Sequence, residues 1–278
     1  MSYDYSENIL VQESAGHLLE RELGWEVAFA YNTEQLGKDG TFGRTSYREI
    51  LLTRYFRQAL QRLNPWLTSA QMDEAQKKME SRLSTASPMQ INEEKYALTR
   101  DGIPVTVKRP DGRTEEKKAA VIDFQHPNDP KRNHFLAIKE LKIHGDLYRR
   151  RTDIVGFVNG IPLLFVELKK NTVDVQNAYT DNYTDYLDTI PHLFYYNAFL
   201  ILSNGLEAKV GTLGSKYEFF HEWQRLSEQE QGSVALETML QMCIRDSPEL
   251  LHRGGPHPER VERLAAQEPE RHCVAVSG

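Results

Sequence analysis

Asp153, Glu167 and Lys169 are the residues whose types and spacing point most directly to chemistry. They border two apolar runs, Ile154–Val158 and Ile161–Val166, of the kind that form buried strands and ordinarily carry no charge. Residues two apart on a strand share a face, so Glu167 and Lys169 point one way and Leu168 the other. Two carboxylates converging at a strand edge make a hard-oxygen site suited to Mg²⁺, which takes few protein carboxylates and keeps waters for a phosphate substrate. A lysine beside them can hold or help deprotonate an attacking water while the cation stabilises charge on phosphate oxygens. Such a site suits phosphodiester hydrolysis. The same charges can also be edge charges or ion-pair partners of Arg149, Arg150 and Arg151, and spacing alone does not choose between the two readings.

Whether the two carboxylates meet depends on the hairpin that carries them. Asn159-Gly160 separates the runs, and both residues tolerate the positive φ of a tight turn. A two-residue loop would pair Val158 with Ile161 and Asp153 with Val166, leaving Glu167 on the opposite face. A three-residue loop, or a bulge using Gly160, shifts parity by one and brings Asp153, Glu167 and Lys169 together. The bulged register is the expectation.

Asp153 followed by Glu167-Leu168-Lys169 resembles the D…ExK core of the PD-(D/E)xK nuclease superfamily. More narrowly, the run from Gly145 to Leu163 is similar to the N-terminal nuclease domain of type I restriction enzyme R subunits. The likeness continues through Glu167-Leu168-Lys169, Asp188-Thr189-Ile190-Pro191, Phe194 to Phe199 and Ser203-Asn204-Gly205, and runs from about Ser6 to about Leu240. Thr152 departs from it, standing where the superfamily expects proline. The resemblance implies cleavage of double-stranded DNA after a much longer chain has translocated it with ATP, in partnership with a methyltransferase subunit and a specificity subunit. It implies Asp153 and Glu167 as Mg²⁺ ligands, the backbone carbonyl of Leu168 as a third, and Lys169 as the residue positioning the nucleophilic water. No phosphate loop of the G-x-x-x-x-G-K-[ST] kind is present, so ATP belongs to a motor outside this sequence.

Two further positions come from the same comparison. Related nucleases often bring a first-helix glutamate near the metal, for which Glu13 is the candidate, although a surface glutamate on an amphipathic helix is the commoner reading. The broader recombination-nuclease group carries Gln-x-x-x-Tyr after the core. Here Asn182-x-x-x-Tyr186 has that spacing on one helix face, the amide being free to contact the DNA backbone or a water and the tyrosine to brace it. The rival readings are a non-catalytic DNA-binding or assembly module and a stand-alone repair-type nuclease.

The net charge of -6 argues against a general nucleic-acid coat protein, since phosphate neutralisation dominates nonspecific affinity. Local positive charge is still available for DNA in Arg149, Arg150 and Arg151 with Lys169 and Lys170. Two cysteines, Cys243 and Cys273, make no disulfide framework, no apolar run approaches a membrane span, and the opening residues lack a secretory pattern; a cytoplasmic protein is expected.

Hydrophobic periodicity predicts helices over Glu7–Leu23, Ser46–Leu63, Ser69–Leu83, Met89–Leu98, Val173–Leu187 and Tyr217–Leu226. It predicts strands over Trp25–Tyr31, Val105–Val107, Ala120–Phe124, Phe135–Ile143, Tyr196–Leu202 and Leu206–Gly211 besides the central hairpin. The resulting fold is α/β: a restriction-endonuclease-like core with a mixed central sheet flanked by helices and an inserted helical segment. Residues 1–241 read as one domain. Met242-Cys243-Ile244-Arg245-Asp246-Ser247 is what a common transposase adapter encodes, so residues 242–278 are expected to be a non-native or disordered tail; the coding DNA would decide it.

Overall fold

A computed structural model describes residues 4–222 apart from 127 and 128, with side chains from Gln12 onward in the first helix. The tail expected over 242–278 lies outside the described residues. The chain begins with α1 (Asp4–Arg21), β1 (Glu26–Phe29), α2 (Thr53–Leu63), α3 (Ser69–Glu80) and α4 (Pro88–Asp101). It continues through β2 (Ile103–Lys108), β3 (Thr114–Ala119), β4 (Phe135–Lys139), β5 (Lys142–His144), β6 (Arg149–Arg151), β7 (Ile154–Val158) and β8 (Ile161–Leu168). A π-helical turn, Ala178–Tyr183, runs into α5 (Thr184–Thr189), and β9 (Phe199–Ser203), β10 (Ala208–Gly211) and β11 (His221–Glu222) follow.

Seven strands form one mixed sheet in the order β1-β4-β7-β8-β9-β10-β11, with β1–β4 and β8–β9 parallel and the other pairs antiparallel. On one face α1, α2 and α3 cover a core containing Ala15, Leu19, Phe56, Leu60, Met79, Ile154, Val166 and Leu168. On the other face the π turn and α5 cover Val155, Phe157, Phe165, Tyr183, Tyr186 and Phe194. Strand β8 is buried at every residue because helices cover both its faces, as its continuous apolar run requires. Helices α3 and α4 begin with capping boxes, Thr68 with Gln71 and Ser87 with Gln90, so their ends are fixed locally.

Several boundaries differ from the sequence expectation. The segment expected as helix from Ser46 forms α2 only from Thr53: Ile50, Leu51 and Leu52 are buried in an irregular stretch, and the Leu52 N–H donates to the Gly160 carbonyl at 2.9 Å. The strand expected over Ala120–Phe124 is instead the charged Thr114–Ala119. It pairs with β2 in a separate two-stranded sheet whose β3 side chains are mostly exposed, while Val121 and Ile122 turn inward as core. The expected aromatic closing helix is a short 3₁₀ turn, Tyr217–Phe219, followed by β11; its continuation beyond Glu222 lies outside the described residues. The helix expected over Val173–Leu187 begins only as the π turn.

The single strand expected over Phe135–Ile143 is bent in two. Beyond Lys139↔Ile154, the Glu140 N–H donates to the Asp153 carbonyl at 2.9 Å and the Thr152 N–H to the Leu141 carbonyl at 3.1 Å. The pairing then resumes as Lys142↔Arg151. Thus β4–β7 and β5–β6 are two halves of one antiparallel ribbon kinked at Glu140, whose φ is 54°. Thr152 spends its N–H in this ribbon, a bond that proline in its place could not make.

Candidate functional site

The register of the central hairpin decides whether a site exists. Its turn is the two-residue form, Val158↔Ile161, with φ of 52° at Asn159 and 80° at Gly160. The parity shift needed to unite the carboxylates comes from a bulge, but not at Gly160. Phe157 faces Pro162 while Gly156 faces Leu164, so Leu163 is the extra residue. Leu163 and Leu164 consequently both point to the α1–α2 core, and every later side chain of β8 exchanges faces. Val166 and Leu168 stay with that core, whereas Phe165 and Glu167 face α5. The pairing sum carried one step past Ile154↔Val166 sets Asp153 opposite Glu167.

Two residues make the bulge possible. A Cβ on Gly156 would lie 2.9 Å from Leu164 Cβ and 3.0 Å from the Trp25 ring. Pro162 has no N–H to offer the ladder. Gly160 has a different duty: a Cβ there would lie 2.5 Å from the Leu52 carbonyl and 2.8 Å from the Phe56 nitrogen, where the start of α2 rests on the turn. Asn159 is fully buried, donating to Val121 O and Asn133 Oδ1 and accepting from His134 N–H and Arg62 Nη2 at 2.8–2.9 Å. The turn is therefore anchored on both sides.

At the other end of the hairpin, Asp153 Oδ2 accepts the Leu168 N–H at 2.7 Å and Oδ1 accepts from Gln12 Nε2 at 2.6 Å. Burial pushes the Asp153 carboxyl up to about 6, against the two hydrogen bonds and Lys169, which favour its ionised form, with Glu140 adding to the rise. Glu167 is 2 % exposed and its Oε2 has no hydrogen-bond partner in the protein. Burial first, then the charge of Asp153, raises its carboxyl well above the usual range, while Lys169 opposes the rise. Lys169 Nζ donates to Asn182 Oδ1, Asn182 Nδ2 lies 3.5 Å from the Tyr186 hydroxyl, and that hydroxyl donates to the Arg151 carbonyl at 3.0 Å. Tyr186 is buried under the sheet and packs edge-on to Phe165 at 6.0 Å. The π turn delivers Asn182 to this chain of contacts, and π turns recur at functional sites.

Asp153, Glu167, Lys169, Asn182 and Tyr186 are thus brought together. Glu13 is exposed, and Gln12 beside it is the α1 residue that reaches Asp153. Arg149, Arg150 and Arg151 do not form one patch, because β6 alternates their faces. Arg150 makes a two-pronged ion pair with Asp185 at 2.5 and 2.8 Å, and Arg151 Nη1 lies 3.2 Å from Glu140 Oε2, close enough for an ion pair but not aligned as a hydrogen bond. Arg149 is exposed and Lys170 half-buried. Sequence reasoning missed Gln12 and Glu140: one is an uncharged residue in a helix, the other one of many charged residues in an apparent strand.

A buried carboxylate with an unpartnered oxygen, beside a second carboxylate held by a backbone N–H, is a donor set of hard oxygens that a divalent cation would satisfy. Among the described residues no group of three or more His, Cys, Asp or Glu side chains is arranged around a metal position, so other ligands would be backbone oxygen or water. The model for the type I restriction enzyme R protein N terminus matches residues 4–219. The chain belongs to that family. It is 30% identical over 217 residues to the type I restriction enzyme HindI endonuclease subunit of Haemophilus influenzae, covering 77% of this chain and 20% of the relative. It is 29% identical over 199 residues to a putative type I restriction enzyme MjaIXP endonuclease subunit of Methanocaldococcus jannaschii, covering 69% of this chain and 18% of the relative. The chain spans about a fifth of the length of these curated relatives. No described helix is long and apolar enough to cross a membrane.

Proposed function

We propose that this chain is the DNA-cutting part of a type I restriction–modification assembly, a nuclease of the PD-(D/E)xK kind that hydrolyses phosphodiester bonds in double-stranded DNA with Mg²⁺. The observation that carries the reading is the bulge at Leu163, because it turns Glu167 to the face shared by Asp153 and Lys169. Asp153 and Glu167 would hold the cation, with the Leu168 carbonyl as a backbone ligand. When bound, the cation would neutralise the paired carboxylates and stabilise charge building on the phosphate oxygens. Lys169, fixed by Asn182, orients the attacking water in line with the phosphorus. Tyr186 fixes Asn182 in turn, and Gln12 holds Asp153 with one oxygen toward Leu168. Arg149, Arg151 and Lys170 supply positive charge to the DNA backbone near the cut.

The family name and the lengths of the relatives support the remainder of the proposal. Sequence choice belongs to a specificity subunit, modification to a methyltransferase subunit, and ATP-driven motion to further chain of the same R subunit. The test is Lys169→Ala in the assembled complex, scored on a plasmid carrying the recognition site. Cleavage should fall by about 100-fold or more, the scale of losing a positioned proton-transfer group, with the thermal melt unchanged. Cutting at the unmodified rate would refute the role.

A further inference from the structure

The half of the kinked ribbon that leaves the sheet carries more basic charge than Arg149 and Arg151 alone. In β5–β6 the directly opposed residues are Lys142↔Arg151 and His144↔Arg149, with Ile143↔Arg150 between them. Alternation sends Ile143 into the core and Arg150 to Asp185, leaving Lys142, His144, Arg149 and Arg151 on one face. Like charges directly opposed across a ladder are destabilising, and this short ribbon sets Lys142 against Arg151. Among the described residues only Arg151 of the four reaches a carboxylate, Glu140, while Lys142 donates to the Asn32 amide oxygen at 3.2 Å.

Aromatic rings interleave with these charges. Tyr31 lies beneath both Lys142 Nζ at 4.9 Å and the Arg151 guanidinium at 4.6 Å, and Tyr47 packs against the His144 ring at 4.8 Å. Together with Arg150 they line an open hollow of about 550 Å³. Burial, followed by the charges of Arg149, Arg44, Arg48 and Lys142, holds the His144 imidazole below its ordinary range.

We propose that this hollow binds the phosphate backbone of DNA next to the cleaved bond, with Lys142 and Arg149 as its principal contacts, the Arg150 guanidinium being tied to Asp185. The proposal rests on the nuclease reading and extends it. Arg151 stands two residues, about 7 Å of strand, from Asp153, so a phosphate in the hollow would be of the order of one nucleotide step from one at the carboxylates. An anion would also relieve the opposed charges of Lys142 and Arg151, which explains why a short ribbon retains them. The kink at Glu140 sets this face at an angle to the sheet, so that backbone can be gripped while the cut is made at the bend.

The test is binding of a fluorescent DNA duplex to this chain by anisotropy across a salt series, with Ca²⁺ in place of Mg²⁺. In Lys142→Ala/Arg149→Ala the plot of log K against log salt should flatten by about 1.8, and affinity should fall roughly 30-fold at about 0.15 M salt, the weight of two phosphate contacts. The melting temperature without DNA should stay the same or rise, because opposed charges have been removed; a merely structural role would lower it. Arg150→Ala should leave the salt slope unchanged. Unaltered affinity and slope in the double variant would overturn the proposal, and unaltered DNA affinity with lost assembly would assign the face to an acidic protein partner instead. Asp153→Asn separates the two readings: if it binds DNA normally and still cuts in the assembled complex, the nuclease assignment fails while the grip stands.

Discussion

Glu167 occupies a position where an ionised carboxylate is costly: it is almost fully buried, one oxygen is unpartnered, and Asp153 repels it. Asp153 shares the burden, with its carboxyl raised from 3.8 to about 6. A carboxyl whose folded value is raised binds protons more tightly in the native state. The stability it contributes is therefore complete below 3.8 and is lost as pH rises through about 6. For Asp153 that loss is at most roughly 3 kcal/mol, and less in proportion to its remaining contact with water. The cation-free protein should thus be less stable to urea at pH 8 than at pH 5. Asp153→Asn should remove much of that difference and stabilise the protein by about 1–2 kcal/mol at pH 8. Asparagine keeps an acceptor for the Leu168 N–H, and the Gln12 amide can turn to match it. Parallel pH profiles for the two proteins would contradict the account. Tyr186→Phe removes one buried hydroxyl bond to the Arg151 carbonyl and should cost about 1 kcal/mol by the same assay. It should slow cleavage more than this implies, because Asn182 loses its brace. At this scale the charged residues were legible in the sequence, since an acid or lysine bordering an apolar strand needs a reason. Gln12 was not, because a neutral amide in a helix sends no such signal.

The hairpin shows how far local pattern reaches at the scale of an element. The need for a parity shift followed from period-two alternation alone, but its location did not. Asn159-Gly160 is so strong a turn signal that it drew the bulge toward itself, while Gly156 and Pro162, a glycine inside one strand and a proline inside its partner, mark where the ladder breaks. Gly156→Val tests this. Its side chain would press on Leu164 and Trp25, so the protein should lose about 1–3 kcal/mol in chemical denaturation. Unchanged stability would mean the bulge needs no space at Gly156. The segment before α2 was misjudged for a similar reason: Ile50, Leu51 and Leu52 have helical spacing, but the core and the Gly160 carbonyl hold them in an irregular path. Likewise β3 could not be recognised from its exposed, charged residues, because the apolar run beside it imitates a strand.

Across the whole molecule, the mixed sheet with helices on both faces was legible because its strands are short apolar runs separated by helical periodicity. The kinked ribbon was not, since nothing in the run from Phe135 to Ile143 announces a positive φ at Glu140. That kink joins the two halves of the account: the sheet presents the carboxylates, and the ribbon beyond it presents basic charge. The central claim is that Asp153 and Glu167 act together as one cation site. Urea unfolding at pH 8 over a Mg²⁺ series tests it most directly, since a ligand bound only by the native state stabilises it by RT ln(1 + [L]/Kd). The unmodified chain should gain stability along that curve, and Asp153→Asn/Glu167→Gln, already stable without the ion, should show a flat line. An equal gain in both proteins, or none in either, would contradict the claim.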